Sequence, residues 1–245
     1  MGRGPSIENR KGAEDARRGK LFTKLIREIT VAARGGGDPA GNPRLRAAVD
    51  KALAANMTRD TTERAIKRGT GELGGGNLEE ARYEGYGPGG AAIMVDCMTD
   101  NRTRTVGEVR HAFARGGGNL GADGSVAYLF RHLGVIAFDT GRDAALAERI
   151  LEVALEASAE DVTTDGGWTE VITRVEDFEA VKKALAASGL RPAQAELAWR
   201  PTTTVAPEGG QAEGLAKLLE QLEELDDVQA VHTNAALPSR ARTNA

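Results

Sequence analysis

Residues 83–130, YEGYGPGGAAIMVDCMTDNRTRTVGEVRHAFARGGGNLGADGSVAYLF, constrain the fold more than any other part of the chain. They read as a glycine-rich turn, a buried strand over 91–98, an arginine-bearing helix over 103–115, a second glycine-rich loop and a strand at 126–130. The segment before them is basic and helical. The segment after them is acidic and alternates strands with helices. That order suggests a nucleic-acid-facing arm mounted on an α+β body.

Charge supports the division. The net charge of −4 conceals a split, since residues 1–70 hold 16 Lys+Arg against 8 Asp+Glu, and residues 71–245 hold 16 against 28. A local surplus of +8 attracts polyanions even in an acidic molecule, because salt screens each charge within about 10 Å. Aromatics at 4% leave the cores to aliphatic side chains and alanine. Cys97 is the single cysteine, so no intrachain disulfide forms, which fits a reducing cytoplasm. No apolar run serves as a signal peptide or approaches the roughly 20 residues of a membrane span, and a soluble, cytoplasmic protein is expected.

Residues 1–12 are polar and are expected to be poorly ordered in isolation. A helix follows over about 14–33, with Leu21, Phe22, Leu25, Ile26 and Ile29 on one face and Arg17, Lys20, Lys24 and Arg27 opposite. Asn42-Pro43 opens a second helix and Thr58 caps a third that Gly69 stops. Residues 70–80 read as a linker. Beyond 134 the order is strand, helix, strand, strand, helix, strand (135–138, 143–157, 161–164, 169–175, 177–188, 194–199), the ferredoxin-like unit. A strand near 202–205, a leucine-bearing helix and a strand at 228–233 close the chain. The predicted fold is thus α+β and multidomain: a basic helical domain (1–78), a discontinuous α+β domain (79–132 plus 201–240), and an inserted ferredoxin-like βαββαβ domain (133–200).

The candidate nucleic-acid contacts are Arg10, Lys11, Arg17, Arg18, Lys20, Lys24, Arg27, Arg34, Arg44, Arg46, Lys51, Arg59, Arg64, Lys67 and Arg68. A single charged stripe is usually a solvated helix face, but this one is reinforced across the whole segment. Phe22 is the only aromatic there and reads as core, so phosphate contact is favoured over base stacking. Arg102, Arg104 and Arg110 either extend the basic surface or pair with Asp100 and Glu108. Gly116-x-Gly118-x-x-Gly121 spells a dinucleotide fingerprint, yet it follows a helix and leads into a strand, the reverse of what that site needs. Positive-φ turns are the better reading of those glycines. His111, His132 and His232 lie far apart, Cys97 sits in an apolar strand, and no metal or cofactor is expected. Asp96, Asp100, Glu108 and Asp123 have no nucleophile or metal motif beside them and read as surface or capping carboxylates.

GKLFTKLIREI, GGGDPAGNPRLRAAVDKALAANMTRDTTERAIKRG, YEGYGPGG, DNRTRTVGEVRHAF and GGNLGADGSVAYLF, in that order, resemble the YebC/PmpR family, densely over 10–138 and more loosely beyond. The resemblance implies three domains, with a ferredoxin-like domain inserted in an α+β one, and a non-enzymatic regulator of gene expression that binds DNA. Relatives of the mitochondrial translational activator imply an alternative, a ribosome-associated factor that contacts rRNA or tRNA and relieves stalling. A protein-interaction module with a basic arm is the third reading. The opening MGRGPSIENRKG departs from the glycine-histidine-serine-lysine-tryptophan type common in the family, which leaves Arg3, Arg10 or Lys11 for any contact there.

Overall fold

Two capping side chains set the frame of the helical segment. In the computed structural model, which describes residues 5–74 and 77–236, the Asn42 side chain accepts the Leu45 amide at 3.0 Å and starts a helix with Pro43 in its first turn. Thr58 does the same for the amide of Thr61. Three helices result: α1 (Pro5–Ala32), α2 (Pro43–Ala54) and α3 (Arg59–Gly69). The first begins well before its apolar pattern indicates. Side chains of residues 5–16 are not among those described, so the expected contacts of Arg3, Arg10 and Lys11 fall outside the described side chains. Leu25, Ile29, Leu45, Ala48, Ala52, Met57 and Ala65 bury together as one core.

Gly69 does more than stop a helix. It lies within α3, and a Cβ there would stand 2.3 Å from the Thr30 carbonyl oxygen and 2.6 Å from the Ala33 Cβ. Glycine lets α3 press its end onto α1.

The rest of the chain runs β1 (Glu79–Tyr86), β2 (Ala92–Thr99), α4 (Arg102–Arg115), β3 (Asn119–Leu120), β4 (Phe130–Asp139), α5 (Ala144–Glu156), β5 (Asp161–Asp165), β6 (Trp168–Thr173), α6 (Phe178–Ala187), β7 (Gln194–Pro201), α7 (Gly209–Glu223) and β8 (Val228–Thr233). It separates into two compact units, 127–204 and the remainder.

In the larger unit one sheet has the order β3-β1-β2-β8, with every pair antiparallel. Ile93, Val95 and Cys97 on β2 pack against Val109 and Phe113 of α4 and Leu215, Leu218 and Leu222 of α7. The alternate residues Met94 and Met98 are buried as well, which explains the nearly continuous apolar run of this strand, interrupted by Asp96. The expected linker over 70–80 overlaps β1, whose first two residues are Glu79 and Glu80. The expected strand at 126–130 is instead a 3-10 turn (Ala127–Leu129) leading into β4. Near 202–205 the described residues form a single isolated bridge, between Val205 and Ala235.

The smaller unit has the sheet order β5-β6-β4-β7, all antiparallel, with α5 and α6 contributing to one core around Ile136, Phe138, Ile150, Val171, Phe178, Val181 and Leu185. Strand order and connections are those of the ferredoxin-like unit. Gly134 on β4 leaves room for Phe178, whose Cδ2 lies 2.4 Å from where a Cβ would stand. No described helix is long and apolar enough to cross a membrane.

Candidate nucleic-acid interface

The basic residues of the helical segment divide into two groups. Arg17, Arg18, Arg34, Arg46, Lys51, Arg59, Lys67 and Arg68 are exposed and form no ion pair among the described residues. Arg18 lies over the Phe22 ring at 5.3 Å and Arg46 donates to the Pro39 carbonyl at 3.3 Å, contacts that leave both guanidinium groups open to solvent. Arg34 lies in the 3-10 turn (Ala33–Gly35) that follows α1, and Gly69, directly after Lys67 and Arg68 at the end of α3, is pressed against Thr30 and Ala33.

The second group is committed internally. Arg44 bridges Glu80 at 2.6 Å and Glu28 at 3.0 Å, which raise its pKa. Arg64 pairs with Asp60 one turn away. Three of the four cations on the α1 stripe point into the α+β body. Lys20 Nζ donates to the Glu224 carbonyl at 3.3 Å and Lys24 Nζ to the Glu223 carbonyl at 3.4 Å. These carbonyls lie at the C-terminal end of α7, the negative pole of that helix. Burial lowers the Lys24 pKa, opposed by the Glu223 charge. Arg27 donates to the Asp226 carbonyl and pairs with Asp227 at 3.0 Å.

Asp227 is the hub of this junction. Its side chain is only 2% exposed. One carboxylate oxygen takes Arg27; the other accepts Arg104 at 2.7 Å, Thr105 at 2.7 Å and Thr99 at 3.1 Å. Burial by itself would raise this carboxyl, but hydrogen bonds from Arg104, Thr105 and Thr99, with the Arg27 charge, hold it below the ordinary aspartate value. Sequence reasoning missed it. A Leu-Asp-Asp-Val turn between a helix and a strand looks like ordinary solvent chemistry, and the partners lie over a hundred residues away in sequence.

The α4 arginines divide likewise. Arg104 is held by Asp227 and by Asp100 at 2.8 Å, and Arg102 by Glu79 at 2.9 Å and the Glu80 carbonyl at 2.8 Å. Arg110 alone of the three is exposed without an ion pair among the described residues. Asp96 is bound by Arg82 at 2.6 Å and lies 3.2 Å from His232 Nε2. Both partners hold the Asp96 carboxyl down against the opposing effect of burial. His132 stacks on Trp199, with centroids 4.6 Å apart. Burial pushes the Cys97 thiol up to about 12. Among the described residues no three His, Cys, Asp or Glu side chains gather as a metal site.

The glycine-rich loops serve packing as much as turning. Gly117 and Gly124 have positive φ, at 74° and 81°. Gly116 and Gly118 do not; their missing Cβ atoms admit Leu218 of α7. Buried Glu84 accepts the amides of Gly124 at 2.9 Å and Val126 at 2.8 Å and pins the end of the second loop to β1.

The model of the TACO1/YebC N-terminal domain matches residues 4–72, and that of the TACO1/YebC second and third domain matches 78–235. The chain belongs to the TACO1/YebC family. Among its relatives, a probable transcriptional regulatory protein of Stenotrophomonas maltophilia is 57% identical over 244 residues, covering 98% of this chain and 99% of its own. One from Xanthomonas campestris pv. campestris is 56% identical over 237 residues, covering 96% and 97%. The crystal structure of the conserved hypothetical protein Aq1575 from Aquifex aeolicus superimposes with a TM-score of 0.80 at 47% identity, over 94% of this chain and 95% of that one. The TACO1/YebC fold therefore extends through the helical segment and both α+β parts.

Proposed function

We propose that the protein is a non-enzymatic regulator of gene expression that attaches to nucleic acid, DNA in the first instance, through the outward-facing cations of its helical segment. The observation that carries this reading is the set of exposed guanidinium and ammonium groups, from Arg17 to Arg68, without ion pairs among the described residues, on a segment whose other described cations are occupied. Such groups release counterions when phosphates replace solvent. The absence of an exposed aromatic among residues 17–70 favours backbone contact over base stacking. The naming of the Xanthomonas and Stenotrophomonas relatives as probable transcriptional regulatory proteins supports the same direction.

The test replaces Arg34, Lys67 and Arg68 together by Ala and measures binding to duplex DNA and to an RNA hairpin across a salt series. Affinity should fall for any sequence, and the slope of log K against log salt should shrink by about 0.7–0.9 for each phosphate no longer neutralised. An unchanged slope in a folded variant removes the proposal. Promoter-selective binding by the parent protein speaks for DNA regulation, and co-sedimentation with ribosomes without promoter preference speaks for the translational alternative.

A further inference from the structure

We propose that Lys20, Lys24 and Arg27 form a second, latent phosphate-binding surface, uncovered when α1 unlatches from the α7–β8 turn. This rests on the nucleic-acid reading above and adds a coupling to it. While the latch is closed, these three cations face the carbonyls of Glu223, Glu224 and Asp226 and the carboxylate of Asp227. Together with the Glu223 side chain, whose charge acts on Lys24, that wall repels a polyanion from this face of α1.

Three features make the junction separable. The apolar core of the helical segment and that of the sheet are distinct clusters, so polar groups carry much of the contact between them. Lys20 and Lys24 each spend one of three ammonium donors, on carbonyls at the long end of hydrogen-bond range. Arg27 is the only partner of Asp227 from the helical segment among the described residues. Thr99, Arg104 and Thr105 keep the other carboxylate oxygen satisfied from within the body, so losing Arg27 strands no buried charge.

On leaving, the three cations exchange carbonyl and carboxylate oxygens for phosphate oxygens, and Arg27 can grip a phosphate with two parallel donors. Their i, i+4, i+7 spacing sets them in a row about 10 Å long on one helix face. Phosphate binding and unlatching then draw on the same groups, so each favours the other.

Removing the two members of one ion pair should have opposite effects on affinity. Asp227→Asn should tighten binding to a short duplex DNA or an RNA hairpin, by up to about tenfold, and Arg27→Ala should weaken it by a similar factor. An unchanged or weaker Asp227→Asn overturns the latch. If the Arg34/Lys67/Arg68→Ala variant still loses affinity in that case, the nucleic-acid reading survives without the latch; if that variant binds as well as the parent, the underlying reading fails instead. Should Asp227→Asn not fold, spin labels on Glu63→Cys and Glu220→Cys in an otherwise unaltered full chain decide the matter. The distance between them should lengthen at saturating probe, and lengthening with one probe only identifies that backbone as the physiological kind. A distance unmoved by both bound probes overturns the latch.

Discussion

At the scale of single residues, Asp227 concentrates the most consequence in one side chain. It is buried, charged, and supplied with hydrogen bonds from three elements, so truncation leaves Arg27 and Arg104 without their shared acceptor. Asp227→Ala should lower unfolding free energy by about 2–3 kcal/mol in urea titrations, less than a wholly enclosed pair because both arginines reach solvent. The sign of its pH dependence follows from its depressed carboxyl. The unfolded chain binds the proton more readily, so this stabilisation is complete above the ordinary value of 3.8 and is lost as pH falls through the lower folded value. Asp96 contributes in the same direction. The urea midpoint should therefore drop in acid below about pH 4, and Asp227→Asn should flatten that drop. The neutral amide has no such proton to gain.

At the scale of elements, two glycines make opposite predictions. Gly69→Ala sets a methyl against main-chain oxygen and should cost about 2 kcal/mol or more in chemical denaturation, since a backbone cannot step aside as a side-chain tip can. Gly107, in the exposed middle of α4, would meet nothing within 4 Å, and Gly107→Ala should stabilise by about 0.5–1 kcal/mol. The basic stripe of α1 yields a revised expectation. Replacing Lys20, Lys24 and Arg27 by Ala should lower the melting temperature as well as alter binding, because these side chains hold the junction; the Arg34/Lys67/Arg68 variant should melt like the parent. Helices were largely legible from local chemistry: Asn42 and Thr58 cap the helices that their residue types announce, and the structure adds Asn101 and Asp143 as caps of α4 and α5. Strand β1 was not. Its sequence, EEARYEGY, has two leading glutamates and a glycine, and its strand state comes from pairing with β2 and β3.

At the scale of the whole molecule, residues 127–204 have a core and a complete antiparallel sheet of their own. Expressed alone, this unit should unfold in one cooperative transition by circular dichroism; a gradual, non-cooperative melt would show that its core depends on the rest of the chain. The alternating strands and helices of this unit were readable because period-2 and period-3.6 patterns are properties of the chain itself. So were the family motifs and the opposed charges of the two ends. Which cations remain available was not readable. The stripe Arg17, Lys20, Lys24, Arg27 is one helical face by sequence, but the fold brings the end of α7 and Asp227 against three of its four members. Composition determines how much charge a segment carries, and it does so without reference to distance. Whether a charge meets solvent or a carboxylate depends on approaches of a few ångströms between residues some two hundred positions apart, and only chain folding sets those.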